Sequence, residues 1–211
     1  MRKRHVVPAL SMRLTKEIPV AAGLGGGSSD AAAALLVAGD FGGVERQTLS
    51  EVAPEVGADV ALFLTGGTLE MSGRGEVVEP LPPLESFAVA VAIPDFGLST
   101  AEVYRRWDEM EGPTGEVVAG HLAPPSLRGG MPLRNDLAPA AISLEPRLGD
   151  FMADLRALWG TAVCLTGSGS ACFGYFPTLD EAADAATAAT SLADLTRPAA
   201  LRHRGVARHG G

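Results

Sequence analysis

The sequence predicts an α+β fold built in two halves, and three observations carry that reading. Segments with helical spacing alternate with short apolar runs, so helices and strands interleave. Glycine-rich turns join several of those runs as hairpins, which a strictly parallel sheet would not use. A composition break falls at "EPLPPLES", residues 79–86, where three prolines lie within four positions. We therefore expect one half over residues 1–84, a second over 85–196, and a flexible basic tail over 197–211.

Taken in order, "SMRLTKEIPV" alternates polar and apolar residues up to Pro19 and predicts a strand. "IPVAAGLGGGSSDAAAALL", residues 18–36, puts four glycines and two serines ahead of a strong helix former. It reads as a loop entering a helix, with Ser28 or Ser29 as N-cap, Asp30 in the first turn and an end near Gly39. A second helix is expected over residues 45–56, where Leu49, Val52 and Val56 fall at helical spacing. "ADVALFLTGGTLEMSGRGEVVEPL" predicts two strands joined at "TGG", then a glycine turn over 72–75.

Past the prolines, "FAVAVAIP" has the short, continuous apolar character of a buried strand. "STAEVYRRWDEM" predicts a helix capped by Ser99 or Thr100, and residues 111–130, rich in Gly and Pro, a loop. "NDLAPAAISLEPRLGDFMADLRALWG" predicts one helix after Asn135 or Asp136 and another after Pro146. "TAVCLTGSGSACFGYF" reads as strand, glycine turn, strand. "TLDEAADAATAATSL" reads as a last helix, with Thr178 and Glu181 forming a capping box. No repeat of fixed period is present.

Composition excludes several function classes. With 211 residues, 46% hydrophobic and 20% charged, the chain can bury a proper core. A net charge of -8 argues against nucleic acid as a partner, because phosphates repel such a surface. The basic residues that gather in "RPAALRHRGVARHGG" read as a solvated terminus. No apolar run reaches the ~18 residues of a membrane span. "VVPAL" is too short for the core of a signal peptide. Cys164 and Cys172, in apolar surroundings, read as a reduced pair in a cytoplasmic protein.

The glycine loop carries the chemistry. The first turn of a helix leaves four backbone N–H groups without partners, and the dipole makes that end attractive to a phosphate. Glycines ahead of it let the backbone approach the anion, while Ser28 and Ser29 add donors or a ligand for magnesium. Without G-K-[ST] it is not a Walker A loop. A glycine-rich turn that merely packs a helix tightly on a sheet is the alternative. The second glycine turn, "LTGSGSACF" from Leu165, makes a bipartite site more attractive.

Those residues resemble a known family. "IPVAAGLGGGSSDAAAALL" is similar to the P-x-x-x-G-L-G-S-S-A-A motif of the GHMP kinases. Its extra glycine and Asp30 resemble the branch that phosphorylates the 2-hydroxyl of 4-diphosphocytidyl-2-C-methyl-D-erythritol in non-mevalonate isoprenoid synthesis. "GADVALFLTGG", "GRGEVVEPL", "PDFGLSTAEVY", "RNDLAPAAISLEP" and "TGSGSACFGYF" resemble further motifs of that branch, in the same order, over about residues 13–180.

The resemblance implies a GHMP kinase fold: a ribosomal-protein-S5 domain 2-like half followed by a ferredoxin-like half. It implies that Pro19, Ala22, Gly23, Leu24, Gly25, Gly26, Gly27, Ser28 and Ser29 hold ATP, with Mg²⁺ on its phosphates, and that Asp59 is the catalytic carboxylate. Tyr104 would stack on cytosine, and Gly167, Ser168, Gly169 and Ser170 would line the substrate side. The partner so implied is a small cytidine diphosphate-linked alcohol, and the chain is expected to be a monomer or homodimer. Asp59 beside "VALFL" is expected to be buried, since an apolar-flanked carboxylate needs a partner or a task.

The family's opening P-A-K-I-N-L-x-L strand and D-G-[YF]-H segment have no counterpart in these 211 residues, and Ala61 replaces a proline. Lys16 does not stand where the strand's lysine would. An N-terminally truncated first half is therefore expected. The resemblance leaves two alternatives: a catalytically impaired nucleotide-binding remnant, and a kinase for another small alcohol.

Overall fold

The computed structural model describes residues 9–73, 75, 77–83, 87–117, 134–202 and 205. Much of the expected loop at 111–130 therefore lies outside the described residues. The chain divides into two compact units. One contains residues 1–17, 25–83 and 202–211; the other contains 18–24 and 84–201. The boundary at 83/84 falls in the proline-rich break, but the chain also changes unit inside the glycine motif.

The first unit is built from α1 (Gly26–Gly42), α2 (Arg46–Val56), α3 (Val60–Thr65) and a hairpin of β1 (Leu69–Ser72) and β2 (Val77–Pro80). Ala32 and Leu36 of α1, Leu49 and Ala53 of α2, and Val60, Ala61 and Leu64 of α3 form its buried cluster. The small residues on α1 let the neighbouring helices approach closely. Gly39 shows the same demand, since a Cβ there would sit 2.7 Å from a Leu49 methyl.

Two elements differ from the sequence reading here. "ADVALFLT", expected as a strand, is α3, and the hairpin is the next pair of segments, with Leu69 opposite Pro80. A short continuous apolar run suits a buried helix as well as a buried strand, and period alone does not separate them. "SMRLTKEIPV" forms no strand among the described residues. Its Leu14 and Val20 are exposed, so the alternation has no apolar face to bury against and no ladder to join.

The second unit carries β3 (Ala88–Ile93), α4 (Thr100–Glu109), α5 (Ala138–Leu144), α6 (Arg147–Trp159), β4 (Val163–Leu165), β5 (Cys172–Phe176), α7 (Leu179–Ala188) and β6 (Leu195–Ala200). A 3₁₀ turn, Ala189–Ser191, follows α7. The sheet order is β4-β5-β3-β6, with antiparallel neighbours throughout. Strand, helices, two strands, helix, strand in that order is the split βαβ arrangement of ferredoxin-like folds. Its core packs Val103, Leu148, Phe151, Met152 and Leu155 against Val163, Leu165 and Cys172 of the sheet. Leu148 and Leu155 are fully buried, each contributing about 1.5–3 kcal/mol of apolar burial.

Caps in this unit follow the sequence. Ser99 accepts from the Glu102 N–H at 3.4 Å, and Thr178 accepts from the Glu181 N–H at 3.2 Å while its hydroxyl donates to the Glu181 carboxylate. The basic tail begins later than residue 197, because β6 continues through Ala200 alongside β3. Pro198 obscured the strand, but β6 is an edge strand, where a missing N–H is tolerated.

Candidate active site

The chain enters α1 through positive-φ backbone at Ala21 (62°), Gly23 (72°) and Gly25 (64°). Gly25 is the N-cap, in left-handed conformation, and no side chain caps the helix. Neither Ser28 nor Ser29 is the cap as expected, because α1 starts at Gly26, within the glycine run itself. The first helical bond runs from the Ser29 N–H to Gly25 O at 2.9 Å, so the N–H groups of Gly26, Gly27 and Ser28 lie ahead of the ladder. The Ser29 hydroxyl donates back to Gly26 O at 2.9 Å. Asp30, beyond the first turn, pairs with Lys16 at 2.5 Å rather than with the helix dipole.

The glycines of this loop have different causes. At Gly25 a Cβ would meet the Phe63 ring at 2.7 Å, and at Gly23 it would meet the Gly169 backbone at 2.8 and 2.9 Å. Among the described residues nothing lies within 4 Å of a Cβ placed on Gly27, so that face of the helix terminus is open to them. The uncapped turn, the open face at Gly27 and the flanking hydroxyls fit a phosphate group.

The second glycine turn is tied to the first. The Ala171 N–H donates to Ala22 O at 3.0 Å and the Ser170 N–H to Ala21 O at 3.3 Å. The Thr166 hydroxyl donates to Gly23 O, 143 residues away in sequence. Gly167 (φ 50°) and Gly169 (φ 89°) supply the bend. Ser168 and Ser170 are 6% and 1% exposed. The Ser168 hydroxyl pairs with that of Thr100 at 2.9 Å, and the Ser170 hydroxyl donates to Phe96 O at 2.6 Å. Gly167 is the exposed member of the turn.

Asp59 is exposed and makes no capping bond, which corrects the expectation that it is buried. Val60, Ala61 and Leu64 take the inward face of α3 and leave the preceding carboxylate outside. It stands one helical turn ahead of Phe63, whose ring abuts Gly25. Tyr104 is 53% exposed on α4 while its neighbour Val103 is fully buried, so the tyrosine ring is not what packs that helix.

Cys164 and Cys172 are free thiols, as the sequence predicted. Burial pushes them up to about 11 and about 12, which leaves neither ionised near neutrality. A cavity of about 570 Å³ in the second unit is lined by Arg134, Asn135, Met152, Arg156, Cys164 and Leu165, beside the start of the second glycine turn. Among the described residues no group of three His, Cys, Asp or Glu is placed to hold a metal, and no helix is long and apolar enough to cross a membrane.

Sequence reasoning missed Thr166 and Asn135. By sequence Asn135 reads as a helix cap, and its Oδ1 does accept the Leu137 N–H at 3.0 Å. Its amide group also donates to Leu165 O at 2.9 Å and Gly167 O at 2.7 Å, contacts that no local spacing announces.

An uncapped, glycine-rich helix terminus and a ferredoxin-like unit together define a class, and the family comparisons give it. The model of the GHMP kinases N terminal domain matches residues 1–67, and that of the GHMP kinases C terminal matches residues 125–194. A crystal structure of 4-(cytidine 5'-diphospho)-2C-methyl-D-erythritol kinase is 36% identical, with a TM-score of 0.68 over 88% of this chain and 68% of that one. The chain belongs to the GHMP kinases.

Within the family it is similar to two curated 4-diphosphocytidyl-2-C-methyl-D-erythritol kinases. The Thermobifida fusca protein is 40% identical over 195 residues, 88% of this chain and 64% of the relative. The Rhizobium johnstonii protein is 38% identical over 180 residues, 84% of this chain and 59% of the relative. The chain thus spans about three fifths of the curated relatives it matches.

Proposed function

We propose that this chain acts in the cytoplasm as an ATP-dependent kinase on the 2-hydroxyl of 4-diphosphocytidyl-2-C-methyl-D-erythritol. The observation that supports it most is the lacing of the second glycine turn to Ala21, Ala22 and Gly23, immediately before an uncapped helix terminus. Pro19 and Ala22–Ser29 would hold the ATP, the N–H groups of Gly26, Gly27 and Ser28 being available to donate to its phosphates. Bound with ATP, Mg²⁺ offsets phosphate charge. Ser28 is the residue we assign to it, the Ser29 hydroxyl being committed to Gly26 O.

Asp59 accepts the proton of the 2-hydroxyl as its oxygen bonds to the γ-phosphorus and the bond to the departing ADP oxygen breaks. An exposed carboxylate at a helix end is available for that proton in a way a buried, satisfied one is not. Tyr104 offers its ring face to cytosine. Gly167 presents backbone to the substrate, while Ser168, Gly169 and Ser170 set its position from behind.

The test is phosphoryl transfer from labelled ATP to the cytidine alcohol, with Asp59→Asn as control. We expect transfer by the wild type and a loss of 10²–10⁴-fold in the variant. Equal turnover by both would remove Asp59 from the mechanism. ATP binding without any turnover by the wild type would replace the kinase reading with that of a nucleotide-binding remnant.

A further inference from the structure

We propose that Asn135 is a positioning residue for nucleotide binding: its side-chain amide holds the second glycine turn in the place from which that turn supports the phosphate loop. The inference rests on the nucleotide-binding reading above and adds a residue to it.

Every hydrogen-bonding atom of the Asn135 side chain is used. The two N–H bonds go to Leu165 O at 2.9 Å and Gly167 O at 2.7 Å, on either side of Thr166. Oδ1 accepts from the Leu137 N–H at 3.0 Å and so fixes the amide to the start of α5. The residue so bracketed, Thr166, donates its hydroxyl to Gly23 O. A Cβ on Gly167 would itself meet Gly23 O at 3.0 Å, so the turn and the loop are in direct contact. One amide thus fixes both carbonyls flanking the residue that grips the loop two positions before α1's N-cap.

The rest of the turn cannot substitute for this bond. The Ser168 and Ser170 hydroxyls are engaged with Thr100 and Phe96. Asp136 works elsewhere: its carboxylate accepts from the Gly115 N–H at 2.9 Å and pairs with Arg134 at 2.8 Å. Neighbouring side chains of one dipeptide therefore serve two separate loops, which gives the experiment an internal control.

Asn135→Asp separates the two duties of the residue. An aspartate keeps an oxygen for the Leu137 N–H but turns a second oxygen toward two carbonyls, replacing two attractions with repulsion. We measure Mg·ATP affinity by calorimetry, the Gly167 and Gly169 amide signals by NMR, and the melting temperature. The expected result is an affinity loss of about tenfold or more with displaced glycine signals, while Asp136→Ala lowers the melting temperature but binds as the wild type. Thr166→Val, close in shape and lacking the hydroxyl, is expected to weaken ATP binding in the same direction and covers the case in which Asn135→Asp does not fold. Displaced glycine signals with unchanged affinity would overturn the positioning role and leave the kinase reading intact. So would wild-type affinity in Thr166→Val, or an equal loss in Asp136→Ala. A wild-type chain that binds no ATP would overturn both.

Discussion

The two glycine turns use the same residue types for opposite ends. At Gly25–Ser29 the backbone donors lead into a helix with no side-chain cap, and no described residue lies over Gly27. At Gly167–Ser170 both serines are buried and each hydroxyl has a partner. The first turn leaves the N–H groups of Gly26, Gly27 and Ser28 ahead of the helical ladder, while the second spends its hydroxyls on the protein. Glycine and serine content alone does not reveal this difference; what distinguishes a receptor from a support is where the hydrogen bonds end.

That contrast is open to mutation, and the largest effect belongs on the receptor side. Asp59→Asn, which changes no described hydrogen bond, is expected to lower phosphoryl transfer by about 10³-fold at an unchanged melting temperature. A matching drop in stability would make the carboxylate structural. Gly23→Ala should be the most damaging to folding. Its methyl would enter the Gly169 backbone at a φ of 72°, costing roughly 2–4 kcal/mol in a denaturant titration.

Ser170→Ala on the support side leaves the half-buried Phe96 O without its donor, and about 1 kcal/mol should be lost. Gly27→Ala is the mirror case. Open space and a helical position predict a gain of up to about 1 kcal/mol in stability, accompanied by weaker ATP binding as the methyl occupies the anion's approach. If Gly27→Ala binds ATP as well as the wild type does, that face is not the receptor.

The smallest effect is chemical. With thiols raised to about 11 and about 12, alkylation of Cys164 and Cys172 by iodoacetamide at pH 8 should be far slower than for a free thiol, and should accelerate as pH rises toward 11. Rapid labelling at pH 8 would contradict the burial of β4 and β5.

Much of this was legible because local chemistry is unambiguous there. Ser99 and Thr178 announce their helices, and "TGSGSACF" must bend. Misreadings fell where local patterns are degenerate. "VALFLT" satisfies a strand and a buried helix equally, and only packing against Ala32 and Leu36 decides. The serines of the first loop would make good caps, but the glycines before them became helix and took the N-terminus upstream. Asn135 and Thr166 stayed hidden because their partners lie 30 and 143 residues away, a separation to which no periodicity speaks.

The passage of the chain from one unit to the other between Leu24 and Gly25 limits how this protein can be dissected. Ala22 is buried against Ile93 and Ala171, so the ferredoxin-like unit completes its interior with a strip drawn from far upstream. Expressing residues 84–201 alone would leave that strip behind and deprive the Ser170 and Ala171 N–H groups and the Thr166 hydroxyl of their acceptors. A workable half-protein would have to be spliced, with residues 18–24 grafted back on, rather than simply cut at the prolines.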